Sequence, residues 1–223
     1  MRVTLALKEV CFMCADKKMV VEFFDGLAAR WDAENPLDPE IVEKILDLSD
    51  IRSGLNVLDV ACGTGLLIPC LLDRNVASVT GVDISGAMLA EAKKKFAGNK
   101  KVHLIRADFQ ACQFDTPYDR CIVYDALPHF PDHAQFLRRV AGAVKPGGRL
   151  TVAQGESMET VEAKLKAMAP DLVTELPSAK ELAELLQPWF VIDVCISDQE
   201  KYVVSGVRTD MPTRAVFFTK DRR

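Results

Sequence analysis

The sequence predicts an α/β fold with a mostly parallel sheet, and two observations support this. Short apolar runs alternate with stretches of helical periodicity, a pattern typical of strand–helix–strand units. The runs are continuously apolar, as expected of strands that helices cover on both faces. With 223 residues, of which 49% are hydrophobic and 27% charged, the chain is long enough to bury a core without a metal or a disulfide.

Seven of these runs are predicted to be strands. Five are expected to be parallel, and they cover residues 56–60, 78–82, 102–106, 121–124 and 149–153. Two more runs, 190–196 and 202–207, are joined by a short polar connection, which indicates an antiparallel hairpin that closes one edge of the sheet.

The first 52 residues predict a helical appendage, or lid, that precedes a core over residues 53–223. Apolar residues recur at helical spacing from Met19 to Ala28, and Asp38 before Pro39 has the pattern of a helix start. Later helices are predicted to begin at three further caps: Ser85, Asp132 or Pro131, and Ser178.

Charge and composition exclude several classes of protein. The net charge is −4 and the basic residues form no stripe, so we expect no nucleic-acid partner. No apolar run approaches the roughly 20 residues of a membrane span, and the N-terminus lacks the apolar stretch of a signal peptide, so we expect a cytoplasmic protein without a membrane partner. The seven cysteines, including the Cys11–Cys14 pair, are expected to be thiols, with no metal site.

The most informative segment is the loop that follows the first parallel strand, residues 57–65, VLDVACGTG. In open α/β sheets, ligands bind beyond the carboxyl ends of the strands, and Gly63 and Gly65 let the backbone approach a ligand closely. The dinucleotide fingerprint G-x-G-x-x-G fails here, because Ile68 stands where its third small residue belongs. A nicotinamide-dependent oxidoreductase is therefore an alternative that this spacing does not favour.

Two further acidic residues follow the next two strands. Asp83 ends the second strand, where a carboxylate can accept hydrogen bonds from two ribose hydroxyls. Asp108, beside Phe109, follows the third strand, where it can accept a hydrogen bond from an exocyclic amine. Each could instead be an ordinary cap or loop residue, but their shared edge favours ligand contact.

Taken together, five segments in order resemble the class I S-adenosylmethionine-dependent methyltransferases. They are VLDVACGTG at 57–65, VTGVDIS at 79–85, RADF at 106–109, CIVYDALPHF at 121–130 and VKPGGRL at 144–150. The resemblance implies a Rossmann-like three-layer sandwich with a seven-stranded sheet, in which the last strand is antiparallel and lies between the fifth and the sixth. It also implies S-adenosylmethionine as the cofactor and a small molecule as the methyl acceptor.

The resemblance assigns roles by position. Gly63 and Gly65 would back the methionine and ribose parts of the cofactor, Asp83 would hold the ribose, and Asp108 would meet the adenine amine. The cofactor contacts expected along the strand ends are Asp59, Ala61, Gly63, Gly65, Asp83, Ile84, Met88, Asp108, Phe109 and Asp125.

The N-terminal segment 24–32, FDGLAARWD, is similar to the F-D-x-x-A-x-x-Y-D segment of quinone-biosynthesis C-methyltransferases. In that subgroup it closes over the cofactor, which makes Phe24 and Trp31 candidate lid contacts. The alternative is an amphipathic helix whose aromatic residues belong to the core.

The sequence departs from the family pattern in the first motif, where the change is mild, and in the fourth motif, on the acceptor side. Ala61 replaces a commoner glycine, Asp125 stands where relatives often have Asn, and Pro128-His129 stands where a His pair is frequent. Asp125 and His129 are the candidate catalytic bases, although a base is useful only if the acceptor must lose a proton. Residues 154–205 are expected to shape the acceptor pocket. The acceptor atom and the oligomeric state stay open, as does a protein that binds the cofactor without catalysis.

Overall fold

The structure, a computed structural model, describes residues 3–5, 14–168, 172 and 174–210. The strands are β1 (Val3–Leu5), β2 (Asn56–Val60), β3 (Ser78–Asp83), β4 (Val102–Arg106), β5 (Cys112–Phe114), β6 (Tyr118–Tyr124), β7 (Val144–Gln154), β8 (Phe190–Ser197) and β9 (Tyr202–Arg208). The α-helices are α1 (Cys14–Leu27), α2 (Trp31–Glu34), α3 (Pro39–Leu48), α4 (Ile68–Asp73), α5 (Gly86–Lys95), α6 (His133–Ala143), α7 (Met158–Met168) and α8 (Ala179–Leu186).

Seven strands form one sheet in the order β4-β3-β2-β6-β7-β9-β8. The pairs among β4, β3, β2, β6 and β7 are parallel, whereas β9 pairs antiparallel with both β7 and β8. The prediction of a mostly parallel seven-stranded sheet with an antiparallel C-terminal hairpin is confirmed. Because β2 lies between β3 and β6 and pairs parallel with both, the carboxyl ends of these three strands meet at one edge of the sheet.

The helix starts follow from side-chain caps. Asp38 accepts hydrogen bonds from the N–H groups of Glu40 and Ile41, and Ser85 accepts one from Met88 N at 3.1 Å. Asp132 caps α6, and Ser178 forms a capping box with Glu181 at α8. These caps confirm the four predicted helix starts.

Helices cover both faces of the sheet. On one face, Phe136 and Leu137 of α6 and Leu182 of α8 are buried together with β6 and β7 residues. On the other, Val42 of α3 and Leu71 of α4 are buried against β2 and β3. The sheet is therefore the middle layer of three, which explains the continuously apolar strands.

Three details differ from the expectations. β6 begins at Tyr118 and β7 at Val144, because the Pro146–Gly148 turn interrupts the pairing instead of ending it. β1 pairs antiparallel with β5 in a small second sheet that no sequence pattern predicted. Met19, expected on the apolar face of its helix, is 50% exposed.

The five cysteines with described side chains are unpaired, and the expectation for Cys11 and Cys14 lies outside these residues. Among the described residues, none of the helices combines the length and the apolar character needed to cross a membrane.

Candidate active site

A cavity of about 590 Å³ lies at the carboxyl ends of β2, β3 and β6. The loops that leave these strands line it, as do residues of α1 and α2, which belong to the segment predicted to be a lid. All but one of the sequence-predicted site residues line it: Phe24, Trp31, Asp59, Ala61, Gly63, Asp83, Ile84, Met88, Asp108, Phe109, Asp125 and His129. The structure therefore brings together residues that are up to about a hundred positions apart in the sequence.

The loop after β2 is a chain of left-handed backbone conformations. Ala61, Gly63 and Gly65 have φ values of 56°, 55° and 77°. The turn closes with a hydrogen bond of 2.8 Å from Gly65 N to Cys62 O. This backbone conformation explains why glycine is the commoner residue at position 61 in the family pattern, since a left-handed alanine costs about 1–2 kcal/mol.

Gly65 is the predicted site residue that lies away from the cavity wall. A Cβ atom at this position would lie 2.8 Å from Cε2 of Phe96 and 3.1 Å from Cδ1 of Ile68. The left-handed backbone and the neighbouring Phe96 and Ile68 side chains favour glycine here, and its contact with a ligand stays a prediction.

Asp59 is the most unusual charged group of the site. Only 2% of the residue is exposed, and its Oδ2 has no hydrogen-bond partner among the described residues. Burial, together with the neighbouring charge of Asp83, raises the pKa of Asp59 to about 7. A buried oxygen that faces a cavity and lacks a partner can accept a hydrogen bond from a ligand.

Asp83, at the end of β3, is held by the backbone. Its two carboxylate oxygens accept hydrogen bonds from Gly63 N at 2.7 Å and from Ser85 N at 2.8 Å. Desolvation raises its pKa despite these bonds. A backbone hydrogen bond from Ile84 also acts on this carboxylate, which has about four acceptor positions and so keeps acceptor capacity for donors from the cavity.

The loop after β4 brings Asp108 and Phe109 to the same cavity. Asp108 caps the short 3₁₀ turn Phe109–Ala111 by accepting a hydrogen bond from Gln110 N at 3.0 Å. Its other oxygen lies 2.7 Å from Nζ of Lys17 on α1. The lid therefore contacts this loop directly through a residue that the sequence patterns did not indicate.

Asp125 follows β6 in a left-handed conformation, with φ of 49°. Its carboxylate turns toward Gly155 and accepts a hydrogen bond of 3.0 Å from the Gly155 N–H. Desolvation and the nearby Glu156 raise its pKa, although the Gly155 N–H opposes this. A non-glycine residue held in this conformation at a cavity is typical of a functional site.

His129 ends the 3₁₀ turn after Asp125 and faces the lid. The centroids of its ring and of the Phe24 ring lie 5.0 Å apart in an edge-to-face arrangement. Burial lowers the pKa of His129 to about 4, and its Nδ1 has no partner among the described residues. The imidazole is therefore neutral at physiological pH.

Four further residues at the cavity or in the lid had no individual role predicted: Lys17, Asp25, Asp32 and Gln154. Asp25 and Asp32 are fixed positions of the 24–32 segment, and Gln154 begins the predicted acceptor segment. Lys17, Asp25 and Asp32 are polar residues on amphipathic helices, where a charge is typical of a solvated face. Gln154 ends β7, is 2% exposed, and its Nε2 lacks a partner among the described residues. Its position after the fifth parallel strand was the signal that could have indicated it.

Comparison with known proteins agrees with this geometry. Residues 57–148 match the family model of a methyltransferase domain. The malonyl-[acyl-carrier protein] O-methyltransferase of Acetivibrio thermocellus is 30% identical over 138 residues, which are 60% of this chain and 48% of that protein. The ubiquinone biosynthesis O-methyltransferase of Aeromonas salmonicida is 33% identical over 140 residues, 58% of each protein. This chain therefore spans about half the length of these two relatives.

A solved structure extends the likeness to the rest of the fold. The N-methyltransferase NodS from Bradyrhizobium japonicum WM9, crystallised with S-adenosyl-L-homocysteine, superposes with a TM-score of 0.67. The match covers 86% of this chain and 98% of NodS at 13% sequence identity. At this identity the likeness concerns the fold, and it includes elements outside residues 57–148.

Proposed function

We propose that this chain is an S-adenosylmethionine-dependent methyltransferase of a small-molecule acceptor, since residues 57–148 match the family model of a methyltransferase domain. The observation that carries the proposal is the convergence of Asp59, Asp83 and Asp108 on one cavity at the ends of three neighbouring parallel strands. Three carboxylates in series suit a ligand that presents an amine, a ribose and an adenine amine in that order.

The residues present fit that cofactor. The unpartnered Oδ2 of Asp59 would accept a hydrogen bond from its ammonium group, directly or through water. The free lone pairs of Asp83 would receive the ribose hydroxyls. Ile84 and Met88 would pack beside the adenine, with Phe109 at the ring edge.

When bound, this cofactor supplies a methyl group that is already activated for transfer to an acceptor nucleophile in one in-line displacement. The chain has to align the acceptor and exclude water. The rings of Phe24, Trp31 and His129 suit the second task, because they cover the cavity from the lid to the turn after β6.

The residues that follow β7 suit an organic acceptor of small size. Gln154, Val161 and Leu165 line the cavity away from the glycine loop, and they offer an amide among apolar side chains. The nearby Lys164 is paired with Glu156 at 2.5 Å, so the described residues of this wall present no unpaired positive charge for a phosphate backbone.

Asp125 and His129 differ in their suitability as a base. A general base is most effective when its pKa lies near the working pH. The pKa of Asp125 is raised toward that range, whereas the pKa of His129 is lowered to about 4. We therefore assign proton removal to Asp125, and to His129 a role in shaping the cavity, if the acceptor has a proton to lose.

Two measurements test the proposal. The melting temperature is recorded with S-adenosylhomocysteine and with NAD, because a selective ligand stabilises the folded state by mass action. Transfer of a labelled methyl group is then assayed with thiol, phenol, amine and quinone-like acceptors. A shift with S-adenosylhomocysteine and labelled product support the proposal, and a shift with NAD alone would establish the oxidoreductase instead. Binding without product from any acceptor would favour a cofactor-binding protein without catalysis.

A further inference from the structure

The lid is joined to the strand-end loops by Asp25 on α1. Its Oδ1 accepts hydrogen bonds from the Ser85 hydroxyl and from Ala87 N, the latter at 3.1 Å. Ser85 is the N-cap of α5 and also donates its backbone N–H to Asp83. The lid carboxylate and the predicted ribose carboxylate thus share one residue, and the N-terminus of α5 favours the negative charge of Asp25.

A second carboxylate, Asp32 on α2, binds the glycine loop. Its Oδ1 accepts a hydrogen bond of 2.5 Å from the hydroxyl of Thr64, and its Oδ2 lies 2.6 Å from Nζ of Lys95. Thr64 stands between the two loop glycines and is 1% exposed. Because Lys95 ends α5, the two lid carboxylates hold the two ends of the same helix.

Each carboxylate directly follows an aromatic residue that lines the cavity. Phe24 precedes Asp25 and Trp31 precedes Asp32. The two rings contact each other with centroids 5.6 Å apart. Each pair thus directs an aromatic ring into the cavity and a carboxylate onto a loop below, so that fixing the carboxylate also fixes the ring.

We propose that Asp25 and Asp32 are positioning residues for the cofactor, which fasten the lid to the cap of α5 and to the glycine loop and so hold Phe24 and Trp31 over the ligand. This rests on the proposed function, since the ligand used below is S-adenosylhomocysteine. When the lid is already held in place, binding of the ligand has to order less of the chain. Loss of the fastening lowers the population of the binding-competent state, and the apparent affinity falls by the same fraction.

The test compares wild type with Asp25→Ala, Asp32→Ala and the double variant. The control is Glu22→Ala, which removes an exposed carboxylate of α1 whose partner is Lys18, four residues earlier on the same helix. The dissociation constant of S-adenosylhomocysteine is measured by calorimetry, and hydrogen–deuterium exchange is followed over residues 14–27. Since both carboxylates are exposed, each single change is expected to raise the dissociation constant about threefold and the double change about tenfold.

Exchange separates fastening from a general loss of structure. We expect the double variant to exchange faster over residues 14–27 with and without ligand, while β2 and β3 stay protected as in wild type. Thr64→Val removes the hydroxyl partner of Asp32 without changing the lid, and should weaken binding as Asp32→Ala does, whereas Thr64→Ser should restore it. Glu22→Ala should match wild type in both measurements.

The inference and the proposed function fail in different ways. Wild-type affinity and unchanged exchange over residues 14–27 in the double variant would overturn the fastening role. If wild type ignored S-adenosylhomocysteine, the proposed function would fall. The exchange of ligand-free wild type and double variant would then still decide the role of Asp25 and Asp32, because faster exchange supports it and equal exchange refutes it.

Discussion

The cavity has two sides that are built differently. On the loop side, the ends of β2, β3 and β4 present Asp59, Asp83 and Asp108. On the lid side, α1, α2 and the segment that begins at the end of β7 present aromatic rings and amides. The loop side is held by hydrogen bonds that backbone N–H groups donate, such as the one from Gly63 N to the Asp83 carboxylate. The lid side is held by side-chain contacts between residues far apart in sequence, such as Asp32 with Thr64 and Lys95. Changes on the loop side should therefore abolish binding or folding, whereas changes on the lid side should weaken binding by smaller factors.

The largest effect is expected from Asp83→Ala. It removes the acceptor of two ribose hydroxyls, and charge-assisted hydrogen bonds contribute roughly 1.5–3 kcal/mol each, so affinity for S-adenosylhomocysteine should fall at least about a hundredfold. Calorimetry measures it, with the exposed Asp73→Ala as the control. An affinity within threefold of wild type would place the ribose elsewhere.

Asp59→Asn should change the pH dependence of stability. The pKa of Asp59 is raised to about 7 in the folded protein, so folding favours its protonated form. The contribution of this carboxyl to the free energy of unfolding is complete below its unfolded pKa near 3.8 and is lost as the pH rises through 7. The variant should therefore be more stable than wild type at pH 8, by on the order of 2–4 kcal/mol, with little difference at pH 4. The free energy of unfolding of both proteins, measured with urea at both pH values, tests this. A difference between variant and wild type that is the same at pH 4 and pH 8 would contradict it.

Three glycine and alanine exchanges test the glycine loop itself. Gly65→Ala should destabilise the protein by about 2–3 kcal/mol, because it combines left-handed strain with a contact of 2.8 Å to Phe96. Ala61→Gly should stabilise it by about 1 kcal/mol, since Ala61 is left-handed. Gly142→Ala, in α6 with open space around its Cβ, should stabilise it by about 0.5–1 kcal/mol and is the matched control. Thermal unfolding measures all three, and equal effects of Gly65→Ala and Gly142→Ala would refute the strain.

His129→Ala is expected to have a smaller effect than Asp83→Ala and to act mainly on turnover. It removes the ring against which Phe24 packs, so kcat should fall about tenfold, while the affinity for S-adenosylhomocysteine falls at most about threefold. Because the pKa of His129 is about 4, we expect no inflection near pH 6.5 in the wild-type pH profile of kcat. An inflection there that is absent in the variant would make His129 the base. Equal losses of turnover and affinity would make it a scaffold residue.

The same contrast explains what the sequence could predict. Gly63, Asp83 and Ser85 lie in local patterns of strand, turn and cap, and such patterns are set by backbone geometry within a few residues. The sheet order follows from the same alternation together with the family resemblance. The roles of individual residues are less accessible: Gly65 has the expected conformation, yet it packs against Phe96 and does not line the cavity.

The lid contacts lie beyond sequence patterns for a physical reason. Lys17, Asp25 and Asp32 occur on helices, where charged residues are ordinary. The motif that contains the two aspartates does not indicate their partners, and the partners of the three residues are up to 91 positions away. Only the folded sheet brings Asp108, Ser85 and Thr64 under these helices. The side-chain amide of Gln154 could not be predicted for the same reason. Its lack of a hydrogen-bond partner among the described residues depends on its surroundings and not on its position in the sequence.

A crystal structure of the protein with S-adenosylhomocysteine would show directly whether the cofactor lies at the strand ends. We expect the ribose hydroxyls within about 3 Å of the Asp83 carboxylate, the adenine beside Asp108, and the Phe24 and Trp31 rings over the ligand. Density for the ligand outside the cavity, or a ribose without contact to Asp83, would contradict it.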